Sequence, residues 1–167
     1  AYMLPFKYTS TESIDDALEL SLNLGIRLHN IPIDGIYNAF DSSLEQYMHS
    51  NTHSITFQNL QSRIRGTILM ALANENNALL LTTGNKSEYA VGYATIYGDM
   101  NGAFNPIKDI YKTEIYDLVN KINLNNNIIP KRIISRMPTA ELAPNQKDSD
   151  TLPHYDILDQ ILTAHIE

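Results

Sequence analysis

The sequence has no cysteine and no tryptophan. Without cysteine, disulfides, thiolate catalysis and Cys-type zinc sites all fall away together, which fits a reducing compartment and makes the cytoplasm the expected location. Positive charge is scarce: 12 Lys+Arg stand against 19 Asp+Glu, a net charge of −7. Such a balance repels a phosphate backbone, so no nucleic-acid partner is expected, although a local pocket could still hold a small anion. No apolar run approaches the roughly 18 residues a membrane helix needs, and Ala1 to Phe6 is too short and lacks the basic flank of a signal peptide. No membrane partner is expected. The five histidines, His29, His49, His53, His154 and His165, show neither H-x-x-H nor H-E-x-x-H spacing, so none is assigned a metal. G-x-S-x-G and G-x-G-x-x-G are missing too.

What is present suffices for about one domain: 167 residues with 43% hydrophobic content can fill one core. The first residue is not Met, and "AYMLPF" reads as a strand already under way, so the sequence is expected to begin partway through a longer protein. Tyr2 to Leu4 is the first expected strand. "TSTE", Thr9 to Glu12, fits a capping box opening a helix with Ile14, Ala17, Leu18, Ser21 and Leu22 on one face, ended by Gly25. Ile26 to Ile33 is the next strand and Ile36 to Met48 the next helix.

Gln58 to Ala73 is the strongest helix pattern, with an apolar stripe of Leu60, Ile64, Ile68, Ala71 and Leu72 and with Asn59, Arg63 and Gly66 on a neighbouring face. Ala78 to Leu81 is continuous rather than alternating and is expected as a strand buried on both sides. Helices are expected over Tyr111 to Ile122, Ile129 to Ile134 and Pro153 to Ile166, with a long irregular segment from Met137 to Leu152. This order is that of an α/β fold, a Rossmann-like parallel sheet with crossover helices, whose ligand crevice lies at the strands' carboxyl ends.

Thr82 to Glu88 falls at such an end. "TTGNKSE" supplies hydroxyls, a glycine that permits close backbone approach and a carboxylate, a set suited to a magnesium–phosphate group. The same letters also describe an ordinary turn in which Asn85 or Ser87 caps a helix and Glu88 sits in its first turn. In "YGDMNGAF" two glycines flank Asp99, which is equally a surface turn. Lys108 is expected to be a solvated helix lysine, whereas Lys112 is expected near a helix start, where a cation opposes the helix dipole and hints at an anion nearby. "RMPTAELAPNQKDSD" carries Thr139 and Glu141 in a segment that is either a lid or a charged loop.

Taken together, "NLQSRIRGTILMALAN", "LLLTTGNKSEYAVGYATIYGDMNGAFNPIKDIYKTEIY" and "PTAELAPNQKDSDTLPHYDILDQIL" resemble the synthetase domain of NAD synthetases, the glutamine-dependent kind in particular. The resemblance covers nearly the whole of residues 1–167, as part of one such domain. It implies an ATP pyrophosphatase fold of the adenine nucleotide alpha hydrolase-like type. It also implies ATP-dependent amidation of deamido-NAD: the nicotinate carboxylate attacks the α-phosphate of ATP, pyrophosphate leaves, and ammonia displaces AMP from the adenylate.

By the same resemblance Thr83, Lys112 and Thr139 match ATP-binding positions. Asn59, Arg63, Glu88 and Asp99 match deamido-NAD-binding positions, with Glu88 also placed at Mg2+ and Arg65 a near neighbour of Arg63. No side chain is expected to act as a covalent nucleophile. The family's S-G-G-x-D-S phosphate loop and first strand have no counterpart here, so the fold is expected to be incomplete and the isolated chain inactive. Ammonia would come from a glutaminase domain outside this chain, and the family's pairing implies a homodimer. Two other readings stay open: a GMP-synthetase-like amidotransferase, against which "GNKSE" and "PTAEL" speak, and a non-catalytic nucleotide-binding or dimerisation module.

Overall fold

A strand that stops at a proline needs a neighbour to satisfy its backbone. In the computed structural model, which describes residues 1–49 and 54–167, Tyr2–Met3 forms β1 and pairs in parallel with β2, His29–Asn30. The N–H groups of His29, Ile31 and Ile33 donate to the carbonyls of Ala1, Met3 and Pro5. A parallel pair requires a crossover, and α1, Thr11–Asn23, supplies it. β2 is much shorter than the expected Ile26 to Ile33, because among the described residues it pairs on one side only. His53 lies outside the described residues.

α1 departs from its expected pattern in two ways. Its N-cap is Ser10, whose hydroxyl accepts from Ser13 N–H, while the Thr9 hydroxyl accepts from Phe6 N–H instead. Leu18 and Leu22 are exposed, Leu22 to 79%, and the buried positions are Asp16 and Ser21. The cause is a polar docking. Arg132 Nε, on α6 (Lys131–Ser135), donates to Asp16 Oδ1 at 2.8 Å and draws that face inward. Gly25, at φ +63°, ends the helical path as expected.

α2, Asp34–Leu44, continues into a 3-10 turn at Glu45–Tyr47, and α3 spans Ile55–Glu75. Phe6, Ile33, Tyr37, Phe57 and Ile64 form one core, with Leu60 and Ile68 packed against it and the Phe6 and Tyr37 rings 4.6 Å apart. A second core joins Tyr111, Tyr155, Leu158 and Leu162, contributed by the cap of α5 (Lys112–Asn123) and by α7 (Tyr155–Ile166).

The run after α3 departs most from the sequence pattern. Ala78 to Leu81 is not a strand buried on both sides: Leu79 is 75% and Leu81 56% exposed. One flank makes an isolated parallel bridge between Leu81 and Phe104, through Ala103 N–H to Leu80 O and Thr82 N–H to Phe104 O. Among the described residues no strand pairs with the other flank. The architecture is therefore α/β, with a small parallel sheet and many helices. No helix among the described residues is long and apolar enough to cross a membrane.

Candidate functional site

A groove of about 1070 Å³ runs along α3 and past Leu80 and Leu81. Asn59, Thr83, Glu88, Asp99, Lys112 and Thr139 all line it. Residues up to 80 positions apart in the chain thus share one concave surface. Arg63 does not share it: its side chain is exposed and Nε donates to Ile96 O at 3.2 Å. Arg65 lines the groove and donates from Nε to Leu4 O at 2.9 Å. Burial draws the Arg65 pKa down from its ordinary value and the charge of Glu141 opposes that shift.

The turn after Thr83 shows how the local sequence shapes the site. α4, Lys86–Ala90, opens with a capping box in which Asn85 Oδ1 accepts from Glu88 N–H at 3.0 Å and Asn85 N–H donates to Glu88 Oε2 at 3.1 Å. Glu88 Oε1 accepts from Lys112 Nζ at 3.2 Å. One carboxylate therefore makes two separate contacts, one oxygen finishing the helix cap and the other pairing with Lys112 at the groove. Lys112 is the first residue of α5, the position least favourable for a cation. Glu88 and the Tyr155 ring, 5.3 Å from Nζ, offset that placement.

Asp99 is held against α3. Its Oδ1 accepts from Ser62 Oγ at 3.0 Å and from Thr95 N–H at 2.8 Å, and its own N–H donates to Ser62 Oγ at 3.0 Å. The approach is close enough to demand glycine on the helix: a Cβ at Gly66 would meet Tyr97 O at 2.8 Å and Gly98 O at 2.9 Å. Thr139 spends its hydroxyl inside its own loop, donating to Gln146 O and accepting from Glu141 N–H at 3.2 Å.

The segment after Arg136 is irregular as expected, apart from a 3-10 turn at Asp148–Asp150, and it is firmly anchored. Arg136 Nη2 pairs with Glu141 Oε1 at 2.8 Å, and Ser13 Oγ donates to the same oxygen at 2.9 Å. Buried Asp148 accepts from Tyr93 Oη at 3.1 Å and from Tyr155 Oη at 3.0 Å. Burial first, and then the Asp148 charge, push both phenols well above the ordinary tyrosine pKa of 10.0.

Three supporting residues carry no signal in the sequence pattern. Asp159 of α7, buried, accepts from Ser87 Oγ, from Thr113 N–H at 2.9 Å and from Thr113 Oγ1 at 2.8 Å. It thereby ties the starts of α4 and α5 together beneath Glu88 and Lys112. Asp148 and Thr95 work at similar long range. Each is an ordinary loop or helix letter with at least one partner dozens of residues away: Ser87 for Asp159, Tyr93 for Asp148 and Asn59 for Thr95.

Comparison with known proteins adds to this geometry. The family described as NAD synthase matches residues 1–167. The glutamine-dependent NAD(+) synthetase of Rhodobacter capsulatus is 47% identical over 174 residues, taking in 99% of this chain and 32% of that protein. Among solved structures, a glutamine-dependent NAD+ synthetase from Acinetobacter baumannii in complex with ADP superposes with a TM-score of 0.78 at 40% identity, over 99% of this chain and 29% of that one. An NMN synthetase from Francisella tularensis gives a TM-score of 0.89 at 28% identity, over 98% of this chain and 66% of that one. The chain spans about a third of the length of the curated relatives it matches.

Proposed function

The chain belongs to the NAD synthase family, and from that premise we propose that residues 1–167 are part of a synthetase domain that amidates deamido-NAD to NAD. The observation that carries this reading is the convergence of Thr83, Glu88, Lys112 and Thr139 on one groove with Asn59 and Asp99. In this reaction a carboxylate oxygen of the nicotinate bonds to the α-phosphorus of ATP as pyrophosphate leaves, and ammonia then adds to the acyl carbon as AMP leaves. Ammonia comes from a glutaminase unit outside this chain. The protein works in the cytoplasm as a homodimer.

Thr83, Lys112 and Thr139 face ATP. Thr83 offers a hydroxyl at the end of the Leu80–Thr82 segment, and Lys112, already at the groove, exchanges part of its pairing with Glu88 for phosphate oxygens. Asn59, Glu88 and Asp99 face deamido-NAD, and Arg63, outside the groove, is left to a part of the ligand that reaches past the rim near Ile96.

Among the described residues no three His, Asp or Glu side chains converge into a metal cage. A single carboxylate suits Mg2+ that arrives on phosphates and keeps several waters, and Glu88 Oε1 is that carboxylate. The ion would neutralise charge that builds on the phosphates.

The fit to an NMN synthetase favours a second acid, nicotinate mononucleotide. AMP release from ATP by the intact protein, measured with deamido-NAD, nicotinate mononucleotide and xanthosine monophosphate in parallel, decides between them. Deamido-NAD is expected to drive it best, and xanthosine monophosphate as the best acid would sink the proposal. The isolated 167 residues contain no Ser-Gly-Gly and are expected to form no NAD from deamido-NAD, ATP and ammonia.

A further inference from the structure

Asn59 can be useful to a substrate in two opposite ways, because its amide presents an acceptor on one side and two donors on the other. Which side faces the groove depends on what holds the other. Thr95, buried at 8% exposure, donates from Oγ1 to Asn59 Oδ1 at 2.8 Å. Its backbone N–H donates to Asp99 Oδ1 at 2.8 Å, so one residue touches two of the side chains that line the groove. The Thr95 hydroxyl takes up the Asn59 acceptor. The amide nitrogen of Asn59 is then the group left for a ligand.

We propose that Thr95 is a positioning residue that locks the Asn59 amide with its N–H2 side toward the groove, and so sets the preference for a carboxylate over a carboxamide at the nicotinoyl group. The inference rests on the amidation reading above. A carboxylate offers acceptors only and is served by a donor, whereas a carboxamide can satisfy either orientation by turning over. Substrate acid and product amide differ at this group alone. A flipped Asn59 would present its oxygen to the acid and repel it, while costing the amide little.

The geometry makes a clean substitution available. Thr95→Val keeps the shape and the N–H bond to Asp99 and removes only the hydroxyl that holds Asn59. Thr95→Ser keeps that hydroxyl. In the intact protein carrying this chain, Thr95→Val is expected to raise KM for deamido-NAD about 5- to 30-fold, as loss of an aligned hydrogen bond implies, with KM for ATP unchanged within about twofold. The Ki for NAD is expected to stay level or fall, so the acid-to-amide ratio narrows. Thr95→Ser should restore it.

Should Thr95→Val fail to fold, Asn59→Asp carries the test, since it keeps an acceptor for Thr95 and deletes the donor. It is expected to produce the same selective rise for the acid. Equal changes in KM for ATP and deamido-NAD, or no change in the acid-to-amide ratio in either variant, would overturn the role given to Thr95 while leaving the amidation reading intact. A wild-type protein that forms no NAD would overturn both.

Discussion

Replacing Asp159 by alanine tests the clamp beneath the groove. Its carboxylate accepts from the Ser87 hydroxyl and from both the N–H and the hydroxyl of Thr113. Ser87 is fully buried, and its oxygen in turn accepts from Lys112 N–H at 2.9 Å. Truncation strands three donors around a negative charge that sat at the start of two helices. Each stranded donor costs about 1–3 kcal/mol, with partial relief where water enters, so the whole is expected at about 3–5 kcal/mol. Asp159→Asn keeps one acceptor and turns a donor toward donors, and about half that loss is expected of it. Urea unfolding of the intact protein, followed by far-ultraviolet dichroism, reads the shift in midpoint at constant slope. An Asp159→Ala midpoint corresponding to less than about 1 kcal/mol would refute the clamp.

Glu88→Gln separates the two duties of one side chain: glutamine still closes a capping box but turns an amide N–H2 toward Lys112, so the stability loss should stay at about 1 kcal/mol, that of a partly exposed ion pair, while turnover of the intact protein should fall by about two orders of magnitude. Equal loss of stability and turnover would contradict that division. Gly66→Ala should destabilise by about 1–3 kcal/mol and raise KM for the acid, because the new methyl meets the carbonyls of Tyr97 and Gly98 and displaces Asp99. Tyr93 and Tyr155 have folded pKa values above the unfolded value near 10, so their neutral forms stabilise the fold fully below pH 10 and that contribution is lost as pH rises beyond it. Phenolate absorbance at 295 nm should show these two tyrosines ionising late, together with unfolding. Early, reversible ionisation of every tyrosine would be the contrary result.

Much of this was readable from local rules, and the failures share a cause. The Asn85–Glu88 cap, the Gly25 terminus and the long helix α3 each depend on residues within one or two turns, and each stands where the pattern puts it. The run Ala78 to Leu81 was misjudged because unbroken hydrophobicity encodes neighbours on two sides, and among the described residues only one side has them. α1 was misjudged because Asp16 finds Arg132 116 positions away, which periodicity cannot express. Arg63 and Arg65 lie two positions apart and so on nearly opposite faces of a helix, where a motif spaced by letters does not choose between them. Six of the seven site residues that the family resemblance implies line the one groove, whereas strand order by itself points only to Thr82 to Glu88.

The two cores have a consequence for cooperativity. One gathers residues from Phe6 to Ile64 and the other residues from Tyr111 to Leu162, while the groove is lined by residues from both stretches of the chain, Asn59 and Ser62 from the first and Lys112 and Asp148 from the second. Two separate clusters of buried side chains are expected to open with different free energies, which amide hydrogen exchange on the two sets of helices would read. Any ligand that the groove takes up between Asn59 of α3 and Lys112 of α5 would add its binding energy to the folding equilibrium of both stretches. Occupancy of the groove would then act as mortar between the two clusters.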